Sequence, residues 1–217
     1  MKQRWITALI GIPIFIAVTL SPLPVFVVVV NLLMVVAFLE MFAGIQKSEK
    51  QVPLLLQILF FLYPLLLAGL YIIRIPTSRF LVSGFPPAAD RIFLLTVFSV
   101  WATDSFAFFA GHAFGKTKLA PTISPNKTVE GAIGGAVAGT LFGTLFGYLM
   151  LHNTGSGAII GAIAAIFGQA GDLLESAIKR RLGTKDFGRL LPGHGGVLDR
   201  FDSLMVVTVL VAIYIRL

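Results

Sequence analysis

Asp172, Glu175, Ser176 and Lys179 fall at spacings of three and four, and Asp199 and Asp202 at a spacing of three. On helices these intervals put side chains on one face, so two helices could turn acids towards a common point. Carboxylates on separate helix ends suit a hard divalent cation, because Mg²⁺ takes a few carboxylates, keeps several waters and prefers phosphate oxygens for the rest. The same residues could instead form ion pairs, Glu175 with Lys179 and Asp199 or Asp202 with Arg200 or Arg180; spacing alone does not separate the two. Between the acids lies Pro192-Gly-His194-Gly-Gly196, whose glycines let backbone N–H groups close on an anion as a nest. His194 could hydrogen-bond a phosphate or act as an acid. With Lys179, Arg180, Lys185 and Arg189 before the turn and Asp199 after it, the stretch reads as a place where metal and cations neutralise several phosphates. No GxxxxGK[ST] occurs, so a Walker loop is excluded.

The surroundings of these residues are apolar. The stretch from Ser176 to Asp202 holds six of the seventeen Lys and Arg residues and three of the ten acids. The whole chain of 217 residues is 57% hydrophobic and only 12% charged, with a mean hydropathy of +0.92. That composition is an integral membrane protein's. Apolar runs without period-two alternation predict helices, since a backbone in hydrocarbon must satisfy its own hydrogen bonds. The expected fold class is all-α: a polytopic membrane protein of about seven transmembrane helices with a polar active site facing the cytoplasm. Cysteine is absent, which excludes disulfides and thiolate chemistry. A net charge of +7 points to anionic partners, lipid headgroups or phosphorylated substrates, and not to nucleic acid, because the charges sit in short loops instead of on one broad face. The opening MKQRWITALI has a basic start and an apolar run but no clear small-residue cleavage site, and reads as a retained first span.

The expected spans are 5–20, 25–45, 52–73, 92–110, 132–151, 157–182 and 201–216. Glu40, near the inner end of the second, is either an acid that reaches the interface or a functional one. Asp104 in the fourth would cost roughly 2.5–3.5 kcal/mol in lipid, so it should face a polar cavity or a partner. The polar stretch 111–131 reads as a loop with a short re-entrant or interfacial piece; Glu130 at its end either caps the next helix or serves a substrate. Glycine at 131, 135, 139, 143 and 147 gives the fifth span a bare face for close helix packing. With the N-terminus inside, thirteen of the seventeen cations fall on the cytoplasmic side, leaving Arg74, Arg79, Arg91 and Arg216 outside. Both polar stretches, 111–131 and 179–200, then share one side and can build one site. The chain accordingly divides into N-terminal transmembrane helices, 1–91, and a catalytic transmembrane region, 92–217.

Ser176, Ile178-Lys179-Arg180, Lys185-Asp186, Gly188, Leu191-Pro192 and His194-Gly-Gly-Val-Leu-Asp-Arg-Phe-Asp202 resemble the full signature of the phosphatidate cytidylyltransferase family, the CDP-diacylglycerol synthases. The similarity continues through Gly171-Asp172-Leu-Leu-Glu175, the loop from Phe114-Gly115-Lys116 to Ile123-Ser-Pro-Asn-Lys-Thr128, Glu130-Gly131 and Trp101-Ala-Thr-Asp104, and the opening, with a basic start before the first span and an acid, Glu40, ending the second, is also similar. Two departures stand out. The family is usually longer, the shortfall here lying between Gln46 and Ile92, and His112 stands where the family more often has Gly followed by a basic residue.

The resemblance implies a nucleotidyltransferase of phospholipid biosynthesis: CTP plus phosphatidate gives CDP-diacylglycerol plus pyrophosphate, with Mg²⁺ and a second cation such as K⁺ left open. It implies Asp172 and Asp199 as metal ligands, supported by Glu175 and Asp202. Lys179, Arg180, Lys185, His194 and Arg200 would act on the phosphates, Ser176, Gly195, Gly196 and Asp202 would meet substrate, and Ser124, Lys127 and Thr128 would close the site from the other loop. The expected location is the inner (plasma) membrane, multi-pass, with the N-terminus and site cytoplasmic; the expected partners are CTP, phosphatidate and a second copy in a homodimer. A phosphate monoester is largely dianionic at neutral pH, its second pKa being about 6, so the lipid nucleophile needs no general base. The obstacle is repulsion between that dianion and the triphosphate, which metal and fixed cations offset. Two other readings remain: a related CTP-dependent transferase acting on another lipid phosphate, and an ion transporter whose intramembrane acids line a path.

Overall fold

The computed structural model describes residues 2–48, 52–74, 88–188 and 195–217. Within them the chain is almost entirely helical. Helices α1 (Lys2–Thr19) and α2 (Leu23–Gln46) are joined by the expected proline turn, and α3 (Leu54–Leu62) passes through a 3₁₀ segment (Tyr63–Leu67) into α4 (Ala68–Arg74). Then come α5 (Ala88–Phe114), a two-stranded hairpin of β1 (Lys118–Ala120) and β2 (Ser124–Thr128), α6 (Val129–Leu151), α7 (Thr154–Leu182) and α8 (Leu198–Tyr214).

Five of these helical stretches are long and apolar enough to cross a membrane: α2, the continuous run Leu54–Arg74, α5, α6 and α7. The other two expected spans are shorter. In α1 the apolar helix is Leu9–Thr19; α8 has 17 residues, about 25 Å of helix at 1.5 Å per residue. The third span is interrupted mid-way because Pro64 carries no N–H to continue the α ladder. The stretch 111–131 differs from its expected form: α5 continues to Phe114, and the remainder is an antiparallel hairpin in which Lys118 pairs with Thr128 and Ala120 with Ser124.

The helices alternate in direction, and polar links tie their ends into two groups. At one end Arg74 bonds Asp90 and the carbonyl of Ser21, Arg91 bonds the carbonyl of Met150, and Arg216 bonds that of Ile72. At the other, Glu40 meets the start of α8, Arg180 reaches Ile123 in the hairpin, and Lys127 pairs with Asp172. The described residues of both expected polar stretches lie at this second end.

Packing between α5, α6 and α7 inverts the pattern of a soluble helix. On α6 the glycines at 131, 135, 139, 143 and 147 are buried, while Ile133, Val137, Leu141 and Leu145 point outward. A Cβ on Gly135 would lie 2.7 Å from the carbonyl oxygen of Thr103 on α5, and one on Gly143 would run into the Cα of Gly161 on α7. Small residues therefore let backbones touch, which is how helices associate where lipid gives no hydrophobic drive. The larger core side chains, among them Phe26, Met41, Phe93, Ile160, Leu198 and Met205, fill the space between α2, α5, α7 and α8.

Candidate active site

Helix α7 brings Asp172, Glu175, Ser176 and Lys179 onto one face, as their spacing requires. It ends at Gly183, which adopts φ 75° and lets the N–H of Thr184 return to the carbonyl of Lys179. Glu175 is fully buried. Its Oε2 lies 2.6 Å from Lys179 Nζ, and outside that ion pair neither carboxylate oxygen has a hydrogen-bond partner among the described residues. Ser176 Oγ lies 3.4 Å from Asp172 Oδ1 as a donor.

Helix α8 supplies Asp199 and Asp202 from its first turns, and these two acids do different things. Asp199 is buried; its Oδ1 accepts from Lys179 Nζ at 3.0 Å, and its Oδ2 accepts the backbone N–H groups of Phe187 at 3.0 Å and Gly196 at 2.8 Å. Asp202, half-buried, stands with Asp172 and Glu175: one carboxylate oxygen from each of the three lies within 4.8 Å of the others. The structure thus groups Asp172 with Glu175 and Asp202, the two acids expected to support the ligands, and sets Asp199 on Lys179 and the backbone. The expected pair Glu175–Lys179 forms, whereas the cation facing Asp199 is Lys179 and not Arg180 or Arg200.

The hairpin closes the site from the other side. Thr128 caps α6, its Oγ1 accepting the N–H of Gly131 at 3.1 Å, and Glu130 folds back to accept the N–H groups of Lys116 and Thr117. Both contacts fix the hairpin against α6. Lys127 then extends to Asp172 Oδ2 at 2.5 Å. A cavity of about 460 Å³ opens beside this pair, with Asp104, Phe108, Lys127, Thr128, Gln169 and Asp172 in its wall. Asp104 thus lines a cavity whose wall is mostly apolar but includes Lys127, Gln169 and Asp172.

Other expected residues are less closely gathered. Ser124 is half-buried in β2; Arg180, Lys185 and Arg200 are exposed. Arg180 Nε donates to the carbonyl of Ile123 at 3.2 Å, linking α7 to the hairpin. Lys185 lines a second cavity of about 700 Å³ between the ends of α2 and α7, together with Lys47. Gly195 has φ 87°, a left-handed backbone suited to glycine, but the N–H of Gly196 points at Asp199. Arg189 and His194, with most of the Pro192 turn, lie outside the described residues.

The residue that spacing did not single out is Glu40. It comes from α2, is buried, and accepts the N–H groups of Val197 and Leu198 at 3.0 Å each. Its signals in the sequence were an acid at the end of an apolar span and the similarity of that placement to the family named above.

The sequence profile described as the cytidylyltransferase family matches residues 65–217. A phosphatidate cytidylyltransferase of Staphylococcus aureus (strain COL) is 47% identical over 110 residues, 50% of this chain and 42% of the relative. Relatives of the same name from Staphylococcus haemolyticus and Staphylococcus epidermidis are 46% identical over 110 residues and 44% over 119 residues, covering 42% and 46% of their own lengths. The chain therefore matches less than half the length of each.

Proposed function

This chain belongs to the cytidylyltransferase family, and on that premise we propose that it transfers CMP from CTP to phosphatidate, giving CDP-diacylglycerol and pyrophosphate. The observation that carries the proposal is the cluster of Asp172, Glu175 and Asp202 with Lys127 and Lys179 against it, at the end of a helical bundle where a lipid phosphate and a soluble nucleotide can meet. The names of the relatives above support the same substrates for this chain.

In the proposed reaction a phosphatidate oxygen attacks the α-phosphorus of CTP. The new P–O bond forms as the bond from that phosphorus to the bridging oxygen breaks, and pyrophosphate leaves with the electron pair. No proton has to be removed from a dianionic nucleophile. Asp172, Glu175 and Asp202 fit Mg²⁺, since Glu175 keeps its buried Oε1 without a partner among the described residues and a hard cation takes oxygen ligands. Bound there, Mg²⁺ would draw phosphate oxygens together and offset their charge. Lys127 and Lys179, now held on carboxylates, would turn to phosphate when substrate and metal arrive. Asp199 holds Lys179 and the loop backbone in register, a positioning task in place of ligation. The lipid headgroup would reach the cluster through the 460 Å³ cavity, between Phe108 on its apolar side and Lys127 and Asp172 on its polar side. Ser124 and Thr128 belong to the hairpin wall, and Arg180, Lys185 and Arg200 would extend the positive field towards solvent.

Seven crossings, with α1 and α8 joining the five longer helices, and a cytoplasmic site in the inner membrane complete the proposal, supported by the thirteen cations on the site's side of the sequence-based topology. The test is purified protein in detergent with labelled CTP, Mg²⁺ and a panel of lipid phosphates. Labelled CDP-diacylglycerol from phosphatidate, lost on chelation and restored by Mg²⁺, is expected. Product from another lipid phosphate alone would change the substrate, and no product with any lipid from folded protein would remove the transferase reading.

A further inference from the structure

The proposed ligand Asp202 and its neighbour Asp199 both depend on where α8 begins. A helix start leaves N–H groups without partners, and Val197, at the cap of α8, provides no side-chain bond for them. They are met from 157 positions away in sequence: Glu40 Oε1 accepts the N–H of Val197 and Oε2 that of Leu198. Glu40 forms no ion pair among the described residues, so these N–H groups at the helix start are what answers its charge.

The chain around Glu40 is shaped to admit it. A Cβ on Gly188 or on Gly196 would run into the Glu40 carboxylate, and a Cβ on Gly188 would also stand 3.0 Å from the Cα of Gly196. Two stretches of bare backbone therefore cross at the acid. Asp199 takes the neighbouring N–H groups of the same two stretches, Phe187 and Gly196, while its other oxygen bonds Lys179, which in turn pairs with Glu175. Two carboxylates, one from α2 and one from α8, thus share four backbone donors, those of Phe187, Gly196, Val197 and Leu198.

We propose that Glu40 is a positioning residue of the active site: by clamping the N–H groups of Val197 and Leu198 it fixes the start of α8 and so sets Asp199, Lys179 and Asp202 for metal and phosphate. This rests on the transferase reading for its consequence in turnover, but not for its structural half. Position 40 also lies before residue 65, where the family match begins.

The test uses the full chain in detergent with Glu40→Gln and Glu40→Asp, followed by amide hydrogen exchange, Mg²⁺-dependent thermal stabilisation, and kcat and KM. Gln keeps the volume but turns an NH₂ group towards one of the two N–H donors. Exchange within residues 195–203 should quicken while α5 and α6 stay protected. The Mg²⁺ needed for half-maximal stabilisation should rise about 10-fold or more, and kcat should fall about 10- to 100-fold, the range seen when groups orienting metal ligands are lost. KM for CTP should change far less. Glu40→Asp, one methylene short but still charged, should recover part of kcat and should tolerate Gly196→Ala better than the wild-type background does. Unchanged exchange at 195–203 in the Gln variant would overturn the clamp. Wild-type kcat and Mg²⁺ response in its folded fraction, with only a lower melting temperature, would make Glu40 merely structural and overturn the positioning role. If Gln prevents folding, the Asp variant is read by the same criteria. If wild-type protein turns over no lipid phosphate, the transferase reading fails, and the exchange comparison still decides the clamp.

Discussion

Asp199 and Asp202 are three positions apart on α8, yet their surroundings separate them. Asp199 has three donors on its two oxygens, while Asp202 faces Asp172 and Glu175. Asp202→Asn should therefore raise the Mg²⁺ requirement of turnover about 10- to 100-fold while leaving the melting temperature of the metal-free protein nearly unchanged. Asp199→Asn should lose turnover that added Mg²⁺ does not restore, and should also cost about 1–3 kcal/mol of stability, because charge-assisted bonds to two backbone N–H groups are weakened. Metal titrations of turnover with parallel thermal melts compare the two variants. Equal responses to Mg²⁺ would place both acids on the metal. The face shared by Asp172, Glu175, Ser176 and Lys179 was legible in the sequence because helical spacing alone creates it. Which acid of α8 joins that face was not, since both alternatives satisfy the same spacing and only the approach of α8 to α7 selects between them.

The α6 stripe makes the firmest prediction among the elements. Leucine at Gly143 must displace the Cα of Gly161, and at Gly135 it must displace the Thr103 carbonyl, so both variants should fail to give a monodisperse species in detergent chromatography. Ile133→Ala, on the outward face of the same helix, should elute as wild type. Monodisperse, inactive Gly143→Leu protein would instead tie the stripe to catalysis. The four-residue repeat announced this packing face. The hairpin was not announced: its strands are three and five residues long, with Pro121 between them and Pro125 within the second, and their pairing depends on Thr128 and Glu130 anchoring the hairpin to α6. The 3₁₀ break at Tyr63–Leu67 likewise leaves no mark in an unbroken apolar run beyond Pro64 itself.

Alternating helices place the hairpin and the α6–α7 turn at opposite ends of the molecule. A chain without cysteine makes this directly measurable. Thr122→Cys, exposed on the hairpin, and Gly155→Cys, exposed at the start of α7, should react with an impermeant maleimide from opposite sides of sealed vesicles. Thr122→Cys should label only in inside-out vesicles if the site is cytoplasmic. Labelling of both from one side would break the alternation, and the reverse pattern would put the site outside.

Composition and periodicity by themselves determined that this is a helical membrane protein, which residues share the polar face of α7, and that two polar stretches belong together. These follow from local rules: hydrocarbon forces backbone pairing within helices, and a helix fixes its own faces. Tertiary structure alone decided that Asp202 completes the acid cluster, that Asp199 holds Lys179, and that Glu40 closes on the start of α8. Each of these depends on the distance between helices far apart in sequence, and the helix–helix packing that sets such distances leaves no periodic trace in the chain.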